Sequence, residues 1–252
     1  MFAAERLRVI HVITGSAGVG RLTVAVNLGA ALAKAGRETL LIDVIENRRR
    51  PTALDYLGVR PVTRDEAARA SSGPHGLGIL TFDPASTHAP ASAVQIAARR
   101  PALAYALITD SSTRCNRWLS VEDECREFVV VLSRAAASIT DAYALVKRMS
   151  AAGVCRRFHV LINRVASPAE AALIFRNMSR AARGYLDVDL ELLGYVPADA
   201  ALEQATQQRR SVLDTASAGP AATAFARLAH RIAAWPLLLR STADHARAVG
   251  AA

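Results

Sequence analysis

The chain has 252 residues, 52% of them hydrophobic and 21% charged, a balance that excludes a disordered protein and supplies a sizeable core for one large α/β domain. No apolar run approaches the ~20 residues of a membrane span, and the opening MFAAERLRVIHVITG lacks the layout of a secretory signal. The formal net charge of +9 rests almost wholly on arginine, with lysine only at Lys34 and Lys147. Its basic clusters, such as Arg48-Arg49-Arg50, are short and carry no interleaved aromatics, so no direct nucleic-acid partner is expected. The three cysteines, Cys115, Cys125 and Cys155, show no metal-ligand spacing and read as reduced thiols.

In chain order, LRVIHVITG (7–15) is a continuous apolar run of strand length, as a buried parallel strand should be. GSAGVGRLT (15–23) follows, with glycines at Gly15, Gly18 and Gly20, and leads into a helix over 21–37 closed by Gly36. ETLLIDV (38–44) is a second strand carrying Asp43, which completes a right-handed βαβ unit. A short helix is predicted over 51–59, a loop over 60–75, a strand over 76–83 and a helix over 91–100. A fourth strand, 104–112, carries Asp110.

The second half alternates more plainly: strand 126–134, helix 138–153, strand 157–165, a helix over 167–185 opened by Ser167 with Pro168 at its first position, strand 189–197, and a closing helix over 223–235. The expectation is one doubly wound α/β domain with a mainly parallel sheet flanked by helices, its core at about 7–235 and a short tail at 236–252. Ligands of such sheets bind at the carboxyl ends of the strands. Gly15 to Gly20, Asp43, Asp110, Asn163 and Pro197 all fall there and should share one rim.

The loop has the outline of a phosphate-binding loop with altered chemistry. The pattern G-x-x-x-x-G-K-[ST] uses its lysine on the β- and γ-phosphates and its hydroxyl on Mg²⁺. Arg21 stands at the lysine position and Leu22 at the hydroxyl position. Thr23 carries a hydroxyl one residue further on, which a helix rotates by about 100° away. The plainer readings stay open beside this one. The glycines make a tight turn, Asp43 and Asp110 cap helices, Asn163 is a turn residue, and His159 is a packed core histidine.

The blocks VITGSAGVGRLTVAVNLGAALAKAGRETLLID, SITDAYALVK and YLDVDLELLGYVPADAALEQA resemble the MinD/ParA group of deviant P-loop ATPases. Within it they resemble the branch that regulates bacterial flagellar number and placement (FlhG/FleN) over roughly residues 7–235. The resemblance implies an adenine-nucleotide site (ATP or ADP) formed by Gly15, Ser16, Ala17, Gly18, Val19, Gly20, Arg21, Leu22 and Thr23 with Asp43. Asn163 would read the adenine edge, and the segment from Pro197 to Asp199 would close over the base. Asp110 matches the carboxylate that holds Mg²⁺ through water, although SSTR follows it in place of a glycine-containing loop.

Ser16 replaces the group's signature lysine, and Ile45 replaces the carboxylate that orients the attacking water. Hydrolysis is therefore expected to be weak or absent, and an ATP-dependent dimer is not expected. The implied partners are a flagellar signal-recognition-type GTPase, a flagellar transcription activator and switch-complex proteins. The N-terminal segment by which homologues often stimulate that GTPase is not expected here. The expected location is the cytoplasm, with peripheral membrane contact as the lesser alternative. Two other functions stay open, namely an active ATPase using Arg21 and another MinD-like paralogue such as the cellulose-operon type.

Overall fold

The computed structural model describes residues 7–45, 51–60, 70–82, 97, 100–109, 126–215 and 219–235. Asp110, most of the helix predicted over 91–100, and the tail from Pro236 onward lie outside the described residues.

Eight strands form one sheet: β1 (Arg8–Ile13), β2 (Thr39–Val44), β3 (Ser71–Ser72), β4 (Gly78–Phe82), β5 (Tyr105–Thr109), β6 (Arg126–Ser133), β7 (Arg157–Val165) and β8 (Asp189–Pro197). Their order is β3-β4-β2-β5-β1-β6-β7-β8, and every pairing is parallel except the two-residue antiparallel edge β3–β4. The apolar runs are continuous because the inner strands are covered on both faces; every residue of β1, β2 and β5 is buried.

One face is covered by α1 (Arg21–Lys34), the short α2 (Ala53–Leu57), α5 (Ala200–Gln207) and α6 (Pro220–Ala233). The other carries α3 (Ala136–Ala151) and α4 (Pro168–Tyr185) over β6 to β8. Helix α1 is buried without a break from Val24 to Leu32, which explains a sequence with almost no charge between its ends. Helix α6 buries Phe225, Leu228 and Ile232 against the sheet, as the last helix of a doubly wound domain should.

The connection after β1 leaves toward β2, whereas the connection after β6 leaves toward β7. Strands β1 and β6 are neighbours. Their carboxyl ends therefore make the switch point at which open α/β sheets place their ligands. The glycine loop emerges there.

Candidate functional site

At Gly15 and Gly20 close contacts leave the loop no room for a side chain. A methyl group at Gly15 would overlap the backbone carbonyl of Asp141 in α3, so the loop lies directly on the helix that follows β6. Gly18 and Gly20 have φ of +79° and +87°, the left-handed region that favours glycine. Gly20 is also the residue before α1, and its carbonyl accepts from Val24 N at 2.9 Å. The first N–H groups of α1 have no partner inside the helix, so they and the helix dipole favour an anion at this end.

The side chains around the loop divide into two sets. On the loop itself, Thr14 Oγ1 donates to Ser16 O at 3.1 Å and accepts from Ser16 N at 3.4 Å, while the Ser16 hydroxyl is buried without a hydrogen-bond partner. Ala17 and Gly18 are exposed, Val19 is buried, and Leu22 packs its side chain on the core cluster under α1. Thr23 uses its carbonyl to accept from Asn27 Nδ2 at 2.8 Å. Opposite the loop, at the end of β7, Asn163 Nδ2 donates to Val19 O at 2.8 Å, and its Oδ1 accepts from Arg164 N at 3.0 Å. A Cβ at Gly20 would collide with that same amide. Buried Asn163 thus braces the phosphate loop from below, and Arg164 Nη1 donates to Gly18 O at 3.2 Å from the solvent side.

Asp43 lies at the end of β2 and is buried. Its Oδ1 accepts from Thr109 Oγ1 at 2.7 Å and its Oδ2 from Ala53 N at 2.7 Å, so it joins β5 and the start of α2. Burial pushes the Asp43 carboxyl above the ordinary carboxylate range; the Thr109 hydroxyl, the Ala53 N–H and the charge of Arg21 pull in the other direction. Asp199 is similarly engaged. Its Oδ1 caps α5 through Ala201 N at 2.8 Å and its Oδ2 accepts from Ala221 N at 2.8 Å in α6. Pro197 ends β8 beside Val165, half-buried, with Ala198 N donating to Val165 O.

Sequence reading missed a buried polar network behind the loop. Asn27 of α1 donates from Nδ2 to Tyr56 Oη (3.2 Å) as well as to Thr23 O, and its Oδ1 accepts from Ser211 Oγ and Val212 N, both at 2.9 Å. Tyr56 Oη in turn pairs with Thr206 Oγ1 at 2.8 Å. The available signal was a lone amide amid an otherwise apolar helix, since buried polar groups are hydrogen-bonded. The network ties the P-loop helix to α2, to α5 and to the turn after α5.

A glycine loop running from the central strand into a buried helix, at the switch point of a parallel sheet, defines a P-loop-type α/β domain. A family model described as the CobQ/CobB/MinD/ParA nucleotide binding domain matches residues 10–212, and the chain belongs to that family. It is 28% identical over 252 residues to the antiactivator FleN of Pseudomonas aeruginosa, covering 94% of this chain and 90% of that protein, and is homologous to it. Among solved structures it resembles the MinC:MinD cell division protein complex of Aquifex aeolicus (TM-score 0.68, 20% identity, 93% of this chain and 99% of that one). It also resembles the septum site-determining protein MinD of Pyrococcus horikoshii complexed with Mg-ADP (TM-score 0.65, 21% identity, 90% of this chain and 96% of that one). These likenesses show a MinD-type P-loop fold. Among the described residues no helix is long and apolar enough to cross a membrane.

Proposed function

We propose that this protein regulates flagellar number or placement as a binding protein, holding an adenine nucleotide at the Gly15–Leu22 loop and acting through partners. The observation that carries the reading is homology to an antiactivator across nearly the whole chain. The family is a nucleotide-binding one, and a MinD relative of the same fold was solved with Mg-ADP. The loop keeps the backbone of an anion site, with two left-handed glycines and the start of a long helix.

The phosphate-side chemistry argues against efficient turnover. Ser16, Leu22 and Ile45 supply neither a second lysine, nor a metal-ligating hydroxyl, nor a carboxylate to orient water. Asp43 has both oxygens occupied by Thr109 and Ala53, which favours a positioning role over contact with a metal. Loss of one positioning or electrostatic group costs on the order of 10²–10³ in rate, so three together leave hydrolysis weak or absent. Mg²⁺, if held, would be approached from Asp110. Base recognition would fall to the Pro197 segment, since the buried Asn163 amide is engaged by Val19 O and Arg164 N and supports the loop instead. The first partner is an activator, as the relative's name implies for that relative. The signal-recognition-type GTPase and the switch complex are further partners on the same reading.

The test is deletion of the gene in its own host, with flagella counted per cell by electron microscopy. A changed number or position, restored by the wild-type gene, is the expected result. Unchanged flagella would remove the flagellar reading and favour another MinD-like pathway.

A further inference from the structure

The loop presents one cation of its own, Arg21, where the group's pattern places two lysines. A second guanidinium comes to it from β7. Arg164 is exposed and donates to Gly18 O at the mouth of the loop. Its backbone is left-handed, with φ +59°, which disfavours residues other than glycine and concentrates at functional sites. The twist coincides with a register shift against β8 between Asn163 and Val165. Adjacent residues thereby take opposite tasks. Asn163 turns inward to hold Val19 O, and Arg164 turns outward over Gly18.

Folding alone does not account for this. A single exposed guanidinium–carbonyl bond adds little stability, and Asn or Gly would occupy the same backbone conformation with less strain. The guanidinium has five donors in a planar fork, of which this contact uses one, and the fork suits phosphate oxygens.

We propose that Arg164 is the second cation of the phosphate site, donating to the phosphate oxygens of a bound adenosine diphosphate or triphosphate from its position beside Gly18 O. This assignment rests on the nucleotide-binding reading above. Arg164 becomes a phosphate-binding residue reaching in from the strand that braces the loop.

The test is calorimetric titration of the full chain with ADP and with adenosine, at low and high salt, for the wild type, Arg164→Gly and Arg164→Asn. Both substitutions suit a left-handed backbone. The expected result is that each variant binds ADP about tenfold more weakly, as for loss of one charge-assisted bond. Adenosine binding should not change, the salt dependence of ADP affinity should flatten, and the melting temperature should be unchanged or raised. ADP affinity within twofold of the wild type overturns the assignment alone. So does an equal fall for ADP and adenosine with a lower melting temperature, which would make Arg164 a strut of the loop. Failure of the wild type to bind either probe overturns this assignment together with the nucleotide reading.

Discussion

At the scale of single residues, the polar side chains around the loop are engaged with the protein itself. Asp43 bridges Thr109 and α2, Asp199 joins two helix ends, and Asn163 holds a loop carbonyl. Sequence placed Asp43 and Asn163 at strand ends, where they stand, and Asp199 in the segment after the last strand, where it caps α5. What it could not read is which groups they would meet, because those partners (Ala53 N, Ala221 N and Val19 O) belong to distant segments. Asn27 shows the same limit more sharply. It stands in TVAVNLGAALA with no motif around it, yet it is fully buried and joins four groups, one from its own helix and three from two other segments of the chain. Replacing Asn27→Ala strands Ser211 Oγ and Val212 N in the core and is expected to cost about 2–4 kcal/mol. Urea unfolding with an unchanged m-value would measure it, and a loss within error of zero would mean that the network is not under load.

At the scale of elements, caps set the boundaries and were partly legible. Ser167 and Pro168 open α4 as their types require, with Ser167 Oγ accepting from Glu170 N at 3.1 Å. Helix α2 has a full capping box, Thr52 with Asp55. Hydrogen bonds from the Thr52 backbone and side chain hold the Asp55 carboxyl below its ordinary range. A depressed carboxylate stabilises the fold above its unfolded value and loses that contribution as pH falls through the folded one. Asp55 is largely exposed, so the effect is modest. Thr52→Ala should therefore lower stability by about 1 kcal/mol at neutral pH. The difference from wild type should begin to shrink below about pH 4, as Asp55 is protonated first in the unfolded chain and, at lower pH, in the folded one. A difference that held constant down to pH 3 would show that the ionised Asp55 carboxyl adds nothing to the box. Among the described residues, α5 and β3 are elements that escaped the sequence reading. Helix α5 is only eight residues long and follows a strand directly, and β3 is two residues long, too short for any periodicity.

At the scale of the whole molecule, the alternation of apolar strands and helices was sufficient for the architecture, because both faces of a parallel sheet must be covered. The insertion of β5 between β1 and β2, and the antiparallel edge, carry no such signature and come from packing. The far end of the sheet holds a second polar group, away from the loop. There the Arg8 guanidinium donates to Ile232 O and Trp235 O, while His159, buried between Glu127 and Glu191, stacks on the Trp235 ring at 4.0 Å. The closing helix is thus fixed at its end as well as along its apolar face. The histidine that sequence places in the core is there, in ionic company that its apolar strand did not announce.

The central claim is that the loop still binds adenine nucleotide although its phosphate chemistry has been altered. Titration of the purified chain with ADP and with ATP in the presence of Mg²⁺ tests it most directly, with phosphate release followed in the same samples. The account predicts saturable binding of both nucleotides with comparable affinity, since Ser16 and Leu22 add little that would distinguish a γ-phosphate, and almost no phosphate release. Absence of binding, or strong preference for ATP accompanied by Mg²⁺-dependent turnover that Arg21→Ala abolishes, would contradict it.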